Sequence, residues 1–448
     1  MDFPVQTGED AHRFQFRDGL ALSLLLALGL LLRVGWLFHS EPVPVSDFLE
    51  YRFLGSTLFH YGQLGYPDPS AARLPGFPFF LAGMMLIDES DFWLSLTNIF
   101  VSVAIIAAVH QLAYKMSSGN RMLANTAGLL CAINPTYVFL SPVLASEPLF
   151  TLLLVLAVIL AIQSGPDPTR RLFVAGLMLG AATLTRGEGL FYLPAVVIAS
   201  YVGSPSAFPA WRRVALVSLA TVILIGPWYA RNYQHFGPGV GLGVTGGLNF
   251  YFAHSPDPYG WWPEENGMPE NDHLYVSAHG IAYGLDYIRT TPGHLTGNIL
   301  EGSQRLMKAD NYASRWSITR SEEYEEGDQK FIYLDRRGNE TFFKLERRAW
   351  RVLVALAALA LLFRKLLLRA SWAVIASVLV GNWVCFALIF WAKPRFRFAP
   401  EAFLCVLGAV ALVGLISLIR RKLSAHDMKG RIGSPHVGYH GETLHNPK

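Results

Sequence analysis

Apolar runs long enough to cross a lipid bilayer recur along most of this 448-residue sequence. A spanning helix needs about 20 mainly apolar residues, and about ten segments qualify on that measure. They lie at 19–38, 92–114, 122–143, 147–163, 172–185, 189–203, 212–230, 349–368, 371–391 and 398–419. Since 52% of the residues are hydrophobic and only 16% are charged, the chain carries too few charges for a soluble protein of this size. We therefore expect an all-α polytopic membrane protein.

The distribution of Lys and Arg predicts how the helices are oriented. The run 75–87 is too short to span, so we interpret it as an interfacial or re-entrant helix. With the N-terminus inside, the short cytoplasmic loops then contain the basic residues, as the positive-inside rule requires. These are Lys115 and Arg121, Arg170 and Arg171, Arg212 and Arg213, Arg364, Lys365 and Arg369, and Arg420, Arg421 and Lys422. Both termini are predicted to be cytoplasmic, and the protein is predicted to be integral to the inner membrane.

This topology divides the chain into regions. An N-terminal membrane region (1–231) begins with a signal anchor and includes a first outer loop (40–91), in which we expect juxtamembrane helices. A small extracytoplasmic loop domain (232–346) follows, because this segment is too long for a simple connector. The C-terminal membrane helices occupy 347–423, and the polar residues 424–448 are predicted to form a disordered cytoplasmic tail.

The first outer loop begins EPVPVSDFLEY, which places Asp47 at the membrane surface. A carboxylate there can act as a base, although Ser46 or Asp47 followed by Glu50 also resembles a helix N-cap. Arg73 precedes the short apolar run, where a guanidinium can bind lipid phosphate or extend towards head groups. Both alternatives stay open for each residue.

Charged residues also lie at later outer junctions. SPVLASEPLF places Glu147 in the first turn of a helix, and TLTRGEGLFYLP places Arg186 and Glu188 at the next outer junction. These charges are predicted to line one cavity, unless Arg186 and Glu188 only neutralise each other.

Beyond the seventh span, glycine-rich turns and aromatic residues form a mixture typical of sugar sites and also of interfacial belts. The sugar-binding candidates are Tyr51, Asn232, Asn249, Tyr251, Trp261 and Trp262.

The stretch WAKPRFRFAPEAF departs from the positive-inside rule. It places Lys393, Arg395 and Arg397 in a short loop on the predicted outer face. Either these residues anchor a helix end in head groups, or they bind the phosphate of a substrate. For phosphate, Arg395 or Arg397 is preferred to Lys393, because a guanidinium binds in a bidentate way.

Several motifs in this order resemble the GT-C superfamily of membrane glycosyltransferases. They are SDFLEY, ARLPGFPFFLAGMML, SEPLFTLLLVLA, LTRGEGLFYLP, GPWYARNYQHFG with TGGLNFYF, and KPRFRFAPEAF. Within that superfamily the sequence is most similar to the bacterial branch near protein O-mannosyltransferases and lipid A aminoarabinose transferases. The resemblance implies a GT-C type bundle and inverting transfer of a sugar from a polyprenyl phosphate donor to a hydroxyl on a lipid, glycan or protein.

The resemblance also assigns roles to residues. Asp47 matches the acidic residue of the family's first loop, which acts as a base towards the acceptor or holds it in place. Glu50, Glu147 and Glu188 are candidates for holding the acceptor or pairing with Asp47. The candidate cations for the donor phosphate are Arg73, Arg186, Arg231, Lys393, Arg395 and Arg397. Family members often have a second acid beside the first, whereas Phe48 follows Asp47 here. A divalent metal is therefore an open alternative and not an expectation.

Two other classes of membrane protein share some of these features. A lipid-linked sugar flippase would also be polytopic, but its key charges should lie within spans and its halves should repeat, which this sequence does not show. An O-antigen ligase or polymerase should lack the early SDFLEY loop. Membrane lipids and glycan, lipid or protein acceptors are the expected partners. The small net charge of +4 carries no nucleic-acid signature, and none is expected as a partner.

Overall fold

The computed structural model describes residues 8–162, 167–203, 208–256, 273–326, 329–336 and 340–432, and most of this part is helical. The first ten helices are α1 (Gly8–Ser40), α2 (Asp47–Tyr61), α3 (Gly76–Met85), α4 (Asp91–Met116), α5 (Arg121–Ile133), α6 (Pro135–Leu140), α7 (Glu147–Ile162), α8 (Pro168–Thr185), α9 (Leu193–Gly203) and α10 (Ala210–Phe236). A 3-10 helix, Gly187–Tyr192, leads into α9. Each of the seven spans predicted in this half is therefore largely helical.

The second half continues with α11 (Val244–Ala253), α12 (His273–Thr290), α13 (His294–Met307), α14 (Tyr312–Ser317), α15 (Glu340–Leu359), α16 (Arg369–Trp383) and α17 (Phe398–Ile432). Helix α15 ends in a 3-10 helix, Ala360–Leu366, and α16 in a π-helix, Val384–Ile389. Another 3-10 helix, Pro394–Arg397, precedes α17. The predicted all-α fold is confirmed for the membrane part of the chain.

Within the described residues, five helical segments are long and apolar enough to cross a membrane: Gly19–Ser40, Asp91–Met116, Ala210–Phe236, Arg369–Ile389 and Pro394–Ser424. The other predicted spans appear as shorter or interrupted helices. The five long segments differ in how far they are buried. In Pro394–Ser424, 67% of the most apolar stretch is buried in the protein, against 22% in Gly19–Ser40 and in Ala210–Phe236. Helix α17 is thus central, and α1 and α10 lie at the periphery.

Small residues allow the peripheral helix α10 to approach α8 closely. A Cβ on Gly176 would lie 2.6 Å from the carbonyl oxygen of Val217, and the Thr221 hydroxyl donates to the Gly176 carbonyl at 3.0 Å. Close backbone approach through glycine is a common way for helices to pack in membranes, since lipid provides no hydrophobic drive between them.

A buried arginine joins α1 to the interrupted span α5–α6. Pro135 cannot donate a backbone hydrogen bond, so α5 ends at Ile133 and leaves carbonyl groups unpaired. Arg33 donates to the Ala132 carbonyl at 3.1 Å and to the Ser102 hydroxyl at 2.8 Å. The cation therefore caps a helix C-terminus, where the helix dipole favours positive charge.

The structure differs from the predicted organisation in three places outside the membrane spans. Helix α10 continues to Phe236, so the long loop begins later than residue 232. That loop also contains a two-stranded antiparallel hairpin, β1 (Thr319–Glu326) and β2 (Gln329–Arg336), which the all-α prediction omitted. At the C-terminus, α17 extends through Ile432, nine residues into the predicted disordered tail, and residues 433–448 lie outside the described part.

Candidate active site

Asp47 lies at the start of α2 and binds two arginines. Its Oδ1 is 2.7 Å from Nη2 of Arg73, and its Oδ2 is 2.9 Å from Nη1 of Arg395. Ser46 occupies the N-cap position with a φ of 53°, and its side chain makes no capping hydrogen bond. The helix start predicted at this point is therefore present, but the Asp47 carboxylate binds cations from other parts of the chain.

Arg73 is positioned by the first loop itself. Its Nε donates to Oε2 of Glu50 at 2.7 Å, one helical turn after Asp47 on α2. The guanidinium carbon lies 5.7 Å from the centre of the Tyr51 ring. Gly76, three residues later, begins α3 against the end of α8, where an added Cβ would lie 2.6 Å from Oγ1 of Thr185. This close backbone contact fixes where the loop presents Arg73.

Arg395 connects the first loop to the deeper part of the site. Its Nε donates to Oε1 of Glu147 at 2.7 Å, while its Nη1 reaches Asp47. Glu147 begins α7 and is only 3% exposed, and the same Oε1 also binds Nη1 of Arg186 at 2.9 Å. One glutamate oxygen therefore holds two arginines. A buried carboxylate needs such compensation, because removing a charge from water is costly.

Arg186 closes the inner end of the site. Its Nε binds Glu188, and its Nη1 donates to the Ser146 hydroxyl at 3.2 Å. The Ser146 hydroxyl in turn donates to the phenol oxygen of Tyr51 at 3.2 Å. The sequence did not single out Ser146, although it directly precedes Glu147. Tyr51, predicted as a sugar ligand, is buried and belongs to this internal network.

Seven charged side chains thus form a continuous series of alternating sign, which we call the charge relay. In order along the contacts its members are Glu50, Arg73, Asp47, Arg395, Glu147, Arg186 and Glu188. The side chains are most exposed at Glu50 and Asp47, at 34% and 29%, and least exposed at Glu147, at 3%. The part of the charge relay around Asp47 is therefore the part most open to solvent.

Electrostatics keeps the open end of the charge relay ionised. Burial by itself would raise the pKa of Asp47, but Arg395 and Arg73 hold that pKa well below its usual range. Burial by itself would lower the pKa of Arg73, but the attraction of Asp47 and Glu50 raises that pKa above its usual value. Asp47 is consequently a stable carboxylate in this state and a weak base.

Lys393 lies beside the charge relay and packs on an aromatic ring. Its Nζ is 3.8 Å from the centre of the Trp391 ring, and Nε1 of Trp391 donates to Oδ1 of Asn249 at 3.0 Å. Burial first, and then repulsion by Arg395, lowers the pKa of Lys393 to about 8, against the attraction of Asp47. Asn249, a predicted sugar ligand, therefore supports the aromatic platform under this lysine.

Arg397 lies outside the charge relay although it is two residues from Arg395. It is buried, donates to the carbonyls of Leu306 and Lys308 at 3.0 and 2.6 Å, and pairs with Glu401 at 3.4 Å. Its guanidinium lies 3.8 Å from the Trp350 ring centre. These contacts hold the C-terminus of α13 against α15 and α17. Of the two arginines in the predicted cationic cluster, Arg395 therefore belongs to the candidate site and Arg397 to the packing of the helices.

The remaining predicted site residues lie elsewhere. Arg231 donates to the Ser70 carbonyl at 2.9 Å and packs on Trp228, and Asn232 donates to the carbonyls of Gly241 and Leu242. Both tie α10 to neighbouring loops. Tyr251 is buried against Tyr283. Trp261 and Trp262 lie outside the described residues.

The described residues contain no group of three or more His, Cys, Asp or Glu side chains placed to hold a metal ion. Each acid of the charge relay is instead paired with at least one arginine. These residues therefore do not fit a divalent metal site in this arrangement.

Comparison with known proteins identifies the fold class. No protein-family model matches the sequence, and no curated protein matches it either. Among solved structures, the apo oligosaccharyltransferase of Archaeoglobus fulgidus matches with a TM-score of 0.52 and 14% identity, over 94% of this chain and 53% of that one. The same enzyme tethered with an acceptor peptide gives a TM-score of 0.50 and 15% identity, over 95% and 52%. The chain spans about half the length of these structures.

These matches show that the chain has the GT-C membrane fold, as the sequence predicted. The match to apo ArnT from Cupriavidus metallidurans covers 90% of this chain and 76% of that one, at 14% identity. Its TM-score of 0.38 is too low to support an inference. The chain is thus an integral membrane protein of GT-C fold with a buried charge relay that opens at Asp47.

Proposed function

We propose that this protein is a glycosyltransferase that moves a sugar from a polyprenyl phosphate donor to a hydroxyl-bearing lipid, glycan or protein. The observation that carries the proposal is the position of one carboxylate, Asp47, between two arginines at the open end of the charge relay. Transfer from a sugar phosphate needs a base and cations within reach of one another. The GT-C fold, known in an oligosaccharyltransferase, is consistent with this chemistry.

In the proposed reaction, the acceptor hydroxyl attacks the anomeric carbon from the side opposite the phosphate. A new carbon–oxygen bond forms, the bond from the anomeric carbon to the phosphate oxygen breaks, and the configuration inverts. Asp47 takes the hydroxyl proton, a contribution of about 10² to 10⁴ in rate for a well-placed base. The polyprenyl phosphate leaves with the bonding electrons, and Arg73 and Arg395 stabilise its growing charge.

The location of the site agrees with a membrane-embedded donor. Asp47 follows the end of the apolar helix α1, and Arg395 precedes the apolar helix α17, so the charge relay lies at the ends of spanning segments. A phosphate head group would reach this depth while its lipid chain stays among the helices. With both termini cytoplasmic, as the Lys and Arg distribution predicts, the site faces the outside of the inner membrane.

The test is sugar transfer by purified protein in proteoliposomes containing a polyprenyl-phosphate-linked sugar. The wild-type protein should release polyprenyl phosphate in step with glycosylated acceptor, whereas Asp47→Asn should lower the rate by at least about 100-fold. Asp91→Asn is the matched control, because Asp91 pairs with Arg52 at 2.7 Å outside the charge relay. Wild-type rates in a folded Asp47→Asn protein would refute the assignment, and lipid translocation without transfer would favour a flippase.

A further inference from the structure

Arg73 and Arg395 are held in the same manner on opposite sides of Asp47. Each arginine donates its Nε to a glutamate at 2.7 Å, Arg73 to Glu50 and Arg395 to Glu147, which also binds Arg186. Each then uses one Nη group for Asp47, at 2.7 and 2.9 Å. A guanidinium fixed through Nε can change its Nη partner without losing its position, since its five donors form a rigid fork.

The second Nη group of each arginine points to a further ligand. Among the described residues, neither Nη1 of Arg73 nor Nη2 of Arg395 has a hydrogen-bond partner. The two side chains are only 22% and 13% exposed. A largely buried guanidinium normally has its donors satisfied, so both arginines retain capacity for an anion beside Asp47.

Aromatic rings limit where such an anion can approach. The Arg395 guanidinium carbon lies 5.6 Å from the centre of the Phe48 ring, and the Arg73 carbon lies 5.7 Å from that of Tyr51. These consecutive parts of α2 pack beside the two cations, while the glutamates occupy their Nε edges. An anion therefore reaches both cations through their Nη groups, two of which already contact the Asp47 carboxylate.

We infer that Glu50 and Glu147 are positioning residues, which hold Arg73 and Arg395 in place while these arginines exchange the Asp47 carboxylate for the phosphate of the donor. The inference rests on the proposed function and adds an order of events to it. Before the donor binds, each carboxylate oxygen of Asp47 is held by a guanidinium, which makes Asp47 a poor acceptor for the proton of a hydroxyl. Donor binding draws the Nη groups to phosphate and frees Asp47 as the base. The donor therefore binds first.

This exchange has an unusual consequence for binding. A carboxylate that competes for the same cations lowers the fraction of protein able to bind phosphate, and so weakens the apparent affinity. Removing the charge of Asp47 should abolish transfer and yet strengthen donor binding. A residue that contacts the donor favourably would behave in the opposite way.

The experiment measures binding of undecaprenyl phosphate to the detergent-purified full chain. Asp47→Asn should bind about threefold to tenfold more tightly than wild type. Glu50→Gln and Glu147→Gln should bind about tenfold more weakly, because an amide does not hold a guanidinium as a carboxylate does. Glu50→Gln should also weaken binding in the Asp47→Asn background, which separates positioning from competition. Asp91→Asn should bind as wild type does.

The outcomes are distinct for the two proposals. Equal or weaker binding by folded Asp47→Asn would overturn the exchange even if the wild-type protein transfers sugar. If Asp47→Asn binds undecaprenyl phosphate more tightly but the wild-type protein transfers no sugar, the exchange is supported and the proposed function is rejected. Because Glu147 is buried and its substitution can prevent folding, Glu50→Gln, at a more exposed position, decides whether the glutamates position the arginines. Unchanged affinity in Glu50→Gln would reject that role.

Discussion

Asp47 and Arg395 are 348 residues apart in sequence, and the Asp47 Oδ2 lies 2.9 Å from Nη1 of Arg395. The bond joins the helix that follows the first span to the segment that precedes the last one. Glu147 and Arg186 extend the contact into the middle of the chain. The candidate site therefore forms only when the membrane helices have assembled, and its residues report on both packing and chemistry.

Replacing Arg395 with lysine should impair transfer although the positive charge is kept. A single ammonium group on a flexible chain cannot reproduce the fork that serves Glu147 through Nε and Asp47 through Nη1. We expect kcat/KM for the donor to fall about 10-fold to 100-fold, the loss of one or two charge-assisted hydrogen bonds. Initial rates at varied donor concentration measure it. Arg347→Lys, in an exposed pair with Glu340, is the control and should leave the rate unchanged.

Replacing Arg397 with alanine should affect stability more than donor binding. The substitution removes donors to the carbonyls of Leu306 and Lys308 and leaves the buried Glu401 without its cation. Breaking a buried ion pair costs about 3 to 5 kcal/mol, so the unfolding midpoint in detergent should drop clearly. The fraction that stays folded should bind undecaprenyl phosphate as wild type does. A loss of lipid affinity without a loss of stability would return Arg397 to the phosphate site.

Much of the membrane architecture follows from local signals in the sequence. The apolar runs predict the helices because a spanning segment must satisfy its own backbone hydrogen bonds. The short run at 75–87 is a separate helix, α3, as its length predicts. The break within the span 122–143 also has a local cause, since Asn134 accepts from the Thr136 amide and Pro135 begins α6.

The partners within the site could not be predicted in the same way. Asp47, Glu147, Arg186 and Arg395 are each predicted from their own position in an outer loop or at an outer junction. Nothing local shows that one oxygen of Glu147 binds two arginines. Arg395 and Arg397 have the same chemistry and nearly the same position in sequence. Only the turn of the 3-10 helix between them directs one towards Asp47 and the other towards Trp350.

The contact between α3 and α8 provides a test of how the first loop is positioned. Alanine at Gly76 would place a Cβ 2.6 Å from Oγ1 of Thr185 and 2.7 Å from its backbone nitrogen, so α3 must move away. We expect a loss of about 1 to 3 kcal/mol in stability, together with slower transfer, because Arg73 shifts with the loop. Activity and unfolding midpoint should be measured together.

Gly83 on the same helix is the matched control for Gly76. A Cβ there would meet no atom within 4 Å, so Gly83→Ala should keep full activity and gain slightly in stability from helix propensity. If both substitutions have the same effect, the close approach at Thr185 does not position the first loop. If Gly76→Ala lowers stability and leaves transfer unchanged, Arg73 is held by Glu50 alone.

The pH dependence of donor binding should report the charge of Lys393. Because burial and Arg395 lower the pKa of Lys393 to about 8, the ammonium group loses its proton in a mildly alkaline range where a lysine in water stays charged. Deprotonation removes a positive charge next to Asp47, so affinity for undecaprenyl phosphate should be full near pH 7 and fall as the pH rises through about 8. Lys393→Arg should abolish this fall, since arginine stays protonated. Asp47 contributes no change in this range, because its pKa is shifted downwards. An identical alkaline fall in wild type and Lys393→Arg would show that another group titrates.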